Sequence, residues 1–231
     1  MRLMIISDIH ANLTALEAVF RDLKHNFGTV DYILCAGDLI GLGPYPNETI
    51  NALKKLKNFI SVKGSIDQAV VDENFKGFDG MEIESIKWTR NVLTDDNIDF
   101  LDFLDDYKAI KIQGFKIFLV HGSPENHLNG RISKLESLEK MEKYFQDTGA
   151  DIIVCGQTHI PFVKELYGKY IINAGSVGLP KDENPRACYV FVDLENMEIN
   201  FRRVSYDMDS LARKMRELKF PEVLIDKFYF S

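Results

Sequence analysis

Short, nearly uninterrupted apolar runs mark this chain, and several break off abruptly into polar residues. Leu3–Ile6, Ile33–Cys35, Phe59–Val62, Ile117–Val120 and Ile152–Val154 have the length and apolar continuity of strands buried on both faces. Helical spacing takes over at Leu13, Leu16, Val19, Phe20 and Leu23, with Asn12 placed as the N-cap. A second helix follows Pro46. Residues 68–106 read as helical, with breaks near Gly77–Gly80 and Thr94. The acidic run Thr94–Asp106 reads as a solvated helix face over Ile98, Leu101 and Leu104. Ala109–Ile112 and Phe115–Val120 predict a hairpin through Gln113-Gly114, and Ser133-Lys134-Leu135-Glu136 reads as a capping box opening a helix with Leu135, Leu138, Met141 and Phe145 on one side. Strands are expected at 152–155, 162–166, 170–173, 187–193 and 197–203. Met208, Leu211, Met215 and Leu218 then mark an amphipathic helix.

This order predicts an α/β fold of two packed mixed β-sheets flanked by helices. One domain is expected over 1–231, with a helical insertion at about 68–106 and a C-terminal helical segment at about 207–231. The insertion is either an outer packing layer or a wall that selects substrate. The C-terminal stripe is expected to pack on the same domain, with a homo-oligomer contact as the alternative, favoured by Phe220, Phe228, Tyr229 and Phe230.

Composition narrows the class. A chain of 231 residues with 45% hydrophobic content is enough for a large core. Cys35, Cys155 and Cys188 lie in apolar runs without C-x-x-C spacing and read as buried hydrophobes of a reducing compartment. Met1-Arg2-Leu3 leads straight into a strand and no apolar run reaches membrane-spanning length, so the expected location is cytoplasmic, with no membrane contact. A net charge of −7 without a basic stripe disfavours an extended nucleic-acid surface.

Chemistry concentrates where the strands end. Ser7-Asp8-Ile9-His10, Ala36-Gly37-Asp38, Val120-His121-Gly122 and Gly156-Gln157-Thr158-His159 each follow an apolar run, at the strand ends where open α/β sheets put ligands. Imidazole and carboxylate together suit Mn, Fe, Ni or Zn, and a bridging carboxylate commonly holds two ions about 3.5–4 Å apart. Asp38 is the expected bridge.

The series Asp8-Ile9-His10, Gly37-Asp38, Gly64-Ser65-Ile66-Asp67, His121-Gly122 and Gly156-Gln157-Thr158-His159 resembles the calcineurin-like metallophosphoesterases. The stretches 7–13, 41–48 and 173–180 look like the small single-domain prokaryotic phosphodiesterase branch. The resemblance implies a metal-dependent phosphohydrolase, a phosphodiesterase or phosphatase, in which a metal-activated hydroxide attacks phosphorus in line and Asp38 and His121 serve catalysis. It implies one tightly held divalent ion on Asp8, His10, Asp38 and His159, and a second on Asp38, His121 and two weaker donors, Ser65 and Gln157. That second ion is expected to be weak or absent. A small phosphoester is the implied substrate.

Ile66 stands where many members of the family carry a histidine thought to assist the leaving group. Asp67 reads either as the N-cap of the next helix or as a support for the metal loop. Asn173–Ser176 reads as a post-strand turn that is able to offer backbone N–H groups. His127 is a candidate substrate contact, and His25 reads as a solvated residue at the end of the first helix. The competing function is a binding or scaffold protein that keeps the fold with little turnover, the reading that Ser65, Ile66 and Gln157 favour.

Overall fold

The computed structural model describes residues 1–230. Ten strands form two five-stranded sheets. In the first, β1 (Arg2–Ile6) runs parallel to β2 (Tyr32–Cys35), which pairs parallel with β3 (Phe59–Ser61). On its other side β1 is antiparallel to β9 (Ala187–Asp193), and β10 (Glu198–Val204) completes that edge. The second sheet has the order β4 (Tyr107–Ile112), β5 (Phe115–Val120), β6 (Ile152–Cys155), β8 (Lys169–Asn173), β7 (Phe162–Leu166). Its three central strands are parallel and its two edge strands antiparallel.

Period-two alternation sorts the side chains into layers. Leu3, Ile5, Leu34, Leu119, Val154 and Val190 belong to the core between the sheets. Met4, Ile6 and Phe191 face outward, beneath α1 (Leu13–Asn26) and the other helices on that side. Phe118, Ile153 and Ile171 face α6 (Leu138–Thr148). Both faces of the central strands are therefore dry, which is why their sequences run apolar without alternation.

The expected helices after Pro46 and across 68–106 are α2 (Pro46–Leu53), α3 (Ser65–Asp72), α4 (Gly80–Val92) and α5 (Asp95–Asp102). The helix expected to open at Ser133 starts later. Ser133 and Glu136 close a local turn through a backbone–carboxylate bond of 3.3 Å, and α6 begins only after Ser137, whose side chain accepts from Lys140 N. Leu135 and Leu138 are 90% and 62% exposed, so no core rewards an earlier start. At the other end, α7 (Met208–Glu217), α8 (Glu222–Tyr229) and the turn between them bury Leu211, Met215, Phe220, Leu224 and Phe228 against the chain's own core, leaving Phe230 exposed. The described residues include no helix long and apolar enough to cross a membrane.

Phe228 is 1% exposed. Phe228→Ala is expected to destabilise the protein by about 3–5 kcal/mol in denaturant titration. A loss below about 1 kcal/mol would show that the C-terminal helices are an accessory to the core.

Candidate metal centre

Each sequence-predicted ligand leaves a strand at the same edge of the double sheet. β1 runs out into Ser7–Asn12, β2 into Ala36–Asp38, β5 into His121 and β6 into Gly156–His159. Parallel pairing of β1 with β2, and of β5 with β6, sets these ends side by side within each sheet. The exit turns are tight: Asp8, His10, Ala11, Asp38, Gln157 and His159 all have φ between 50° and 65°. Such conformations cost non-glycine residues of order 1–3 kcal/mol and persist only where the surroundings over-determine them. Ile9 N and His10 N both donate to the Asp38 carbonyl, at 2.8 and 3.0 Å. Gly178 N and Ser176 Oγ hold the Asp8 carbonyl at 3.0 and 2.7 Å.

Glycine is demanded by close approach at Gly64. A Cβ there would stand 2.1 Å from Asp38 N and 2.2 Å from Asp38 Oδ1.

Asp8, His10, Asp38, His121 and His159 are each at most 3% exposed. His159 Nε2 lies 3.1 Å from Asp8 Oδ1 and 3.2 Å from His10 Nε2. Asp38 Oδ2 is 4.0 Å from His10 Nε2 and 3.5 Å from His121 Nε2, so this carboxylate faces both histidines. Asp8, His10 and His159 form one compact set of ligand atoms, and Asp8, Asp38 and His121 an adjoining one, with spacings within 4.8 Å in each. Asp8 thus shares the middle position that the sequence reading gives to Asp38 alone.

Backbone carbonyls fix the rings. The Ala36 carbonyl accepts from His121 Nδ1 at 2.6 Å and from Ser7 Oγ at 3.1 Å, and the Leu179 carbonyl accepts from His159 Nδ1. A carbonyl only accepts, so Nδ1 carries the proton and Nε2 is turned inward. Burial, reinforced by the neighbouring His159, lowers the His10 pKa to about 3. Burial alone would lower His121 as well, but the Asp38 and Asp8 carboxylates beside it raise it to about 10. Burial opposes ionisation of Asp8 and Asp38, yet His159 and His121 respectively hold them below the ordinary carboxylate range.

Both oxygens of Asp8, together with His10 Nδ1 and His121 Nε2, are buried without a hydrogen-bond partner. Orphaned groups of this kind are costly and rare. A divalent cation among the inward-facing oxygens and Nε2 atoms satisfies most of them at once, and the mixed carboxylate–imidazole set suits a first-row transition metal.

The remaining predicted residues have structural duties. Ser65, 8% exposed, lines the cavity over the centre at the start of α3, where Ile66 N donates to Asp38 Oδ1 at 2.8 Å. The Ile66 side chain covers Gly41 in the core. Gln157 lines the same cavity, but its Nε2 donates to the Leu128 carbonyl at 3.3 Å. Asp67 is at the third helical position rather than the cap; its carboxylate accepts from Gly64 N, Leu39 N and Ile40 N, and burial with the Asp38 charge raises its pKa to about 7. His127 is not among the cavity-lining residues and packs against the Tyr107 and Phe118 rings. Among supports the sequence reading did not assign, Asn173 Nδ2 donates to the Gly156 carbonyl at 2.8 Å and to Thr158 Oγ1 at 3.0 Å. The sequence reading placed Asn173 in a post-strand turn, and nothing in that position signalled the role of its side chain.

Comparison with known proteins identifies the family. The family model described as the calcineurin-like phosphoesterase superfamily domain matches residues 1–197. An uncharacterised protein of Methanocaldococcus jannaschii is 32% identical, over 98% of this chain and 97% of its own length. The solved structure of a metallophosphoesterase from Sphaerobacter thermophilus is 30% identical, superposes with a TM-score of 0.83, and covers 100% of this chain and 98% of that one. Phosphodiesterase YfcE of Escherichia coli is 24% identical over 86% of this chain and 91% of its own.

Gly64→Ala is expected to displace the Asp38 carboxylate and weaken divalent-metal binding by about 10–100-fold in calorimetry, with circular dichroism unchanged. Unchanged affinity would show that the close approach is immaterial. The raised pKa of His121 makes a second prediction. Below about 10 the ring holds a proton that a cation must displace, so metal affinity rises with pH by up to about tenfold per unit. Calorimetry in buffers of different ionisation enthalpy is expected to record proton release near pH 7.5, and pH-independent affinity would refute it.

Proposed function

The chain belongs to the calcineurin-like phosphoesterase superfamily, and from that premise we propose that it is a metal-dependent phosphoric ester hydrolase. The observation that carries the reading is the convergence of Asp8, His10, Asp38, His121 and His159 in one buried cluster whose inward atoms lack protein partners. Asp8, His10, Asp38 and His159 would hold the main ion, drawn from Mn, Ni, Fe or Zn. Asp38 and His121, with Ser65 and Gln157 as weaker donors, would hold a second, loosely. When bound, the metal supplies an acidified water as nucleophile and neutralises charge at phosphorus.

The chain's own residues supply the rest. Burial of Asp8 and Asp38 keeps bulk water from competing for the cation, and the Ala36 and Leu179 carbonyls keep two imidazoles aimed inward. The amide of Ile66 at the start of α3 orients Asp38. No serine is required as nucleophile. The substrate is a small phosphoester, monoester or diester, and the phosphodiesterase name of YfcE favours trying diesters first. The proposed setting is cytoplasmic, and a homo-oligomer is a further proposal, though the C-terminal stripe is already used within the chain.

A scaffold role is the second reading, favoured by Ile66, which offers no hydrogen bond to a leaving group.

Release of p-nitrophenol from mono- and bis-p-nitrophenyl phosphate is expected with Mn, Ni or Zn, and is expected to disappear with EDTA or in Asp38→Ala. Absence of release with every metal would favour the scaffold. The double variant Ser65→Asn with Gln157→His is expected to raise metal stoichiometry and turnover together. A gain in neither would sink the weakened second site.

A further inference from the structure

His10, Asp38 and His159 of the ligand cluster line the floor of a cavity of about 310 Å³. Three segments from distant parts of the chain build the rim, and each brings one cation: Lys76 from the connection between α3 and α4, Arg131 from the loop after His121, and Lys181 just beyond Leu179. All three are exposed, above ligands that are buried. None has an ion pair or a side-chain hydrogen bond among the described residues, in a chain where 35 acids outnumber 28 Lys and Arg. Arginines elsewhere do find acids, as Arg202 does with Asp22 and Arg203 with Asp182. Glu82 is the one acid on this rim.

The rim cations rise from restrained backbone. Arg131 sits between Gly130, whose N–H donates to the Asn126 carbonyl at 2.9 Å, and the fully buried Ile132. Lys181 N approaches the His159 carbonyl at 3.5 Å. Lys76 N donates to Asn74 Oδ1 at 3.3 Å. The remaining lining is mixed: Leu42, Ile66 and the half-buried Phe78 stand beside the polar Ser65, Asn129 and Gln157. A cavity of this size holds one small molecule, with its reacting phosphate at the floor and its far end at the rim.

We infer that Lys76, Arg131 and Lys181 form a second anion subsite, and that the substrate is a compact phosphate ester bearing a second phosphoryl group that this rim holds. The inference rests on the phosphohydrolase reading and names its substrate class. In hydrolysis, the oxygen of water bonds to the floor phosphorus while the bond from phosphorus to the ester oxygen breaks. The ester oxygen takes a proton, and the products are phosphate and an alcohol that still carries its distal phosphoryl group. A simple aryl phosphate offers the rim nothing, whereas a second phosphoryl group adds charge-assisted hydrogen bonds.

Adenosine 3′,5′-bisphosphate and adenosine 5′-monophosphate serve as probes. Calorimetry with Mn bound, so that the floor takes one phosphoryl group and the rim the other, is expected to show the bisphosphate binding at least about tenfold more tightly. With Mn added, kcat/KM is expected to show a similar preference. Both preferences are expected to fall toward unity in Arg131→Ala with Lys181→Ala, and partway in Lys76→Ala. Equal binding of the two nucleotides, or a preference that survives in the double variant, overturns the subsite. Preferential binding lost in the variants, without hydrolysis of either probe, upholds the subsite and removes the phosphohydrolase reading instead.

Discussion

Two carboxylates, Asp8 and Asp38, are kept out of water within reach of one another, and neither oxygen of Asp8 receives a hydrogen bond. Anions buried in this way cost several kcal/mol unless a compensating charge sits among them. His121 provides part of that compensation while it holds its extra proton, and a divalent ion provides it more fully. The surrounding construction follows from this one electrostatic demand. Loops fold into left-handed conformations to turn the ligands inward, Gly64 gives up a side chain so that Asp38 can stay, and α3 begins where its first amides face that carboxylate. The Ala36 carbonyl, shared by Ser7 and His121, ties the edge of one sheet to the other.

The fold was legible because its strands are dry on both faces, a condition that leaves unbroken apolar runs such as Leu3–Ile6 and Ile152–Val154. The start of α6 was not, because Ser133 and Glu136 have capping chemistry whether or not a helix follows, and only the absence of a core beside Leu135 decides against it. The five inward-facing side chains of the site were readable from residue type and position at strand ends. Their orienting partners were not, since the Ala36 and Leu179 carbonyls belong to residues whose side chains carry no such signal. His127 was a candidate contact from its proximity in sequence to His121, and the structure packs its ring on Tyr107 and Phe118, neighbours that lie far from it or unmarked in the sequence.

The departures from the family pattern are integrated into the structure around them. Ile66 fills the space over Gly41, and Ser85 and Thr89 of α4 donate to the Gly41 carbonyl at 3.1 and 2.9 Å, so the helical layer is keyed to that loop. Gln157 steadies the segment that carries Asn129 and Arg131 by bonding Leu128. The helical segment at about 68–106 covers the core, and the loop between α3 and α4 lends Lys76 and Phe78 to the cavity lining.

The Ser176–Leu179 turn holds the Asp8 carbonyl across 168 residues of chain and also orients His159. During synthesis from the N-terminus, Asp8 and His10 emerge long before the residues that lock their strained backbone and complete their charge balance. Until Leu179 has left the ribosome, the first sheet also lacks β9 beside β1, and its acidic corner is open to water and to any passing cation. The centre is therefore a late event in the life of the molecule, assembled when the last third of the chain closes over the first.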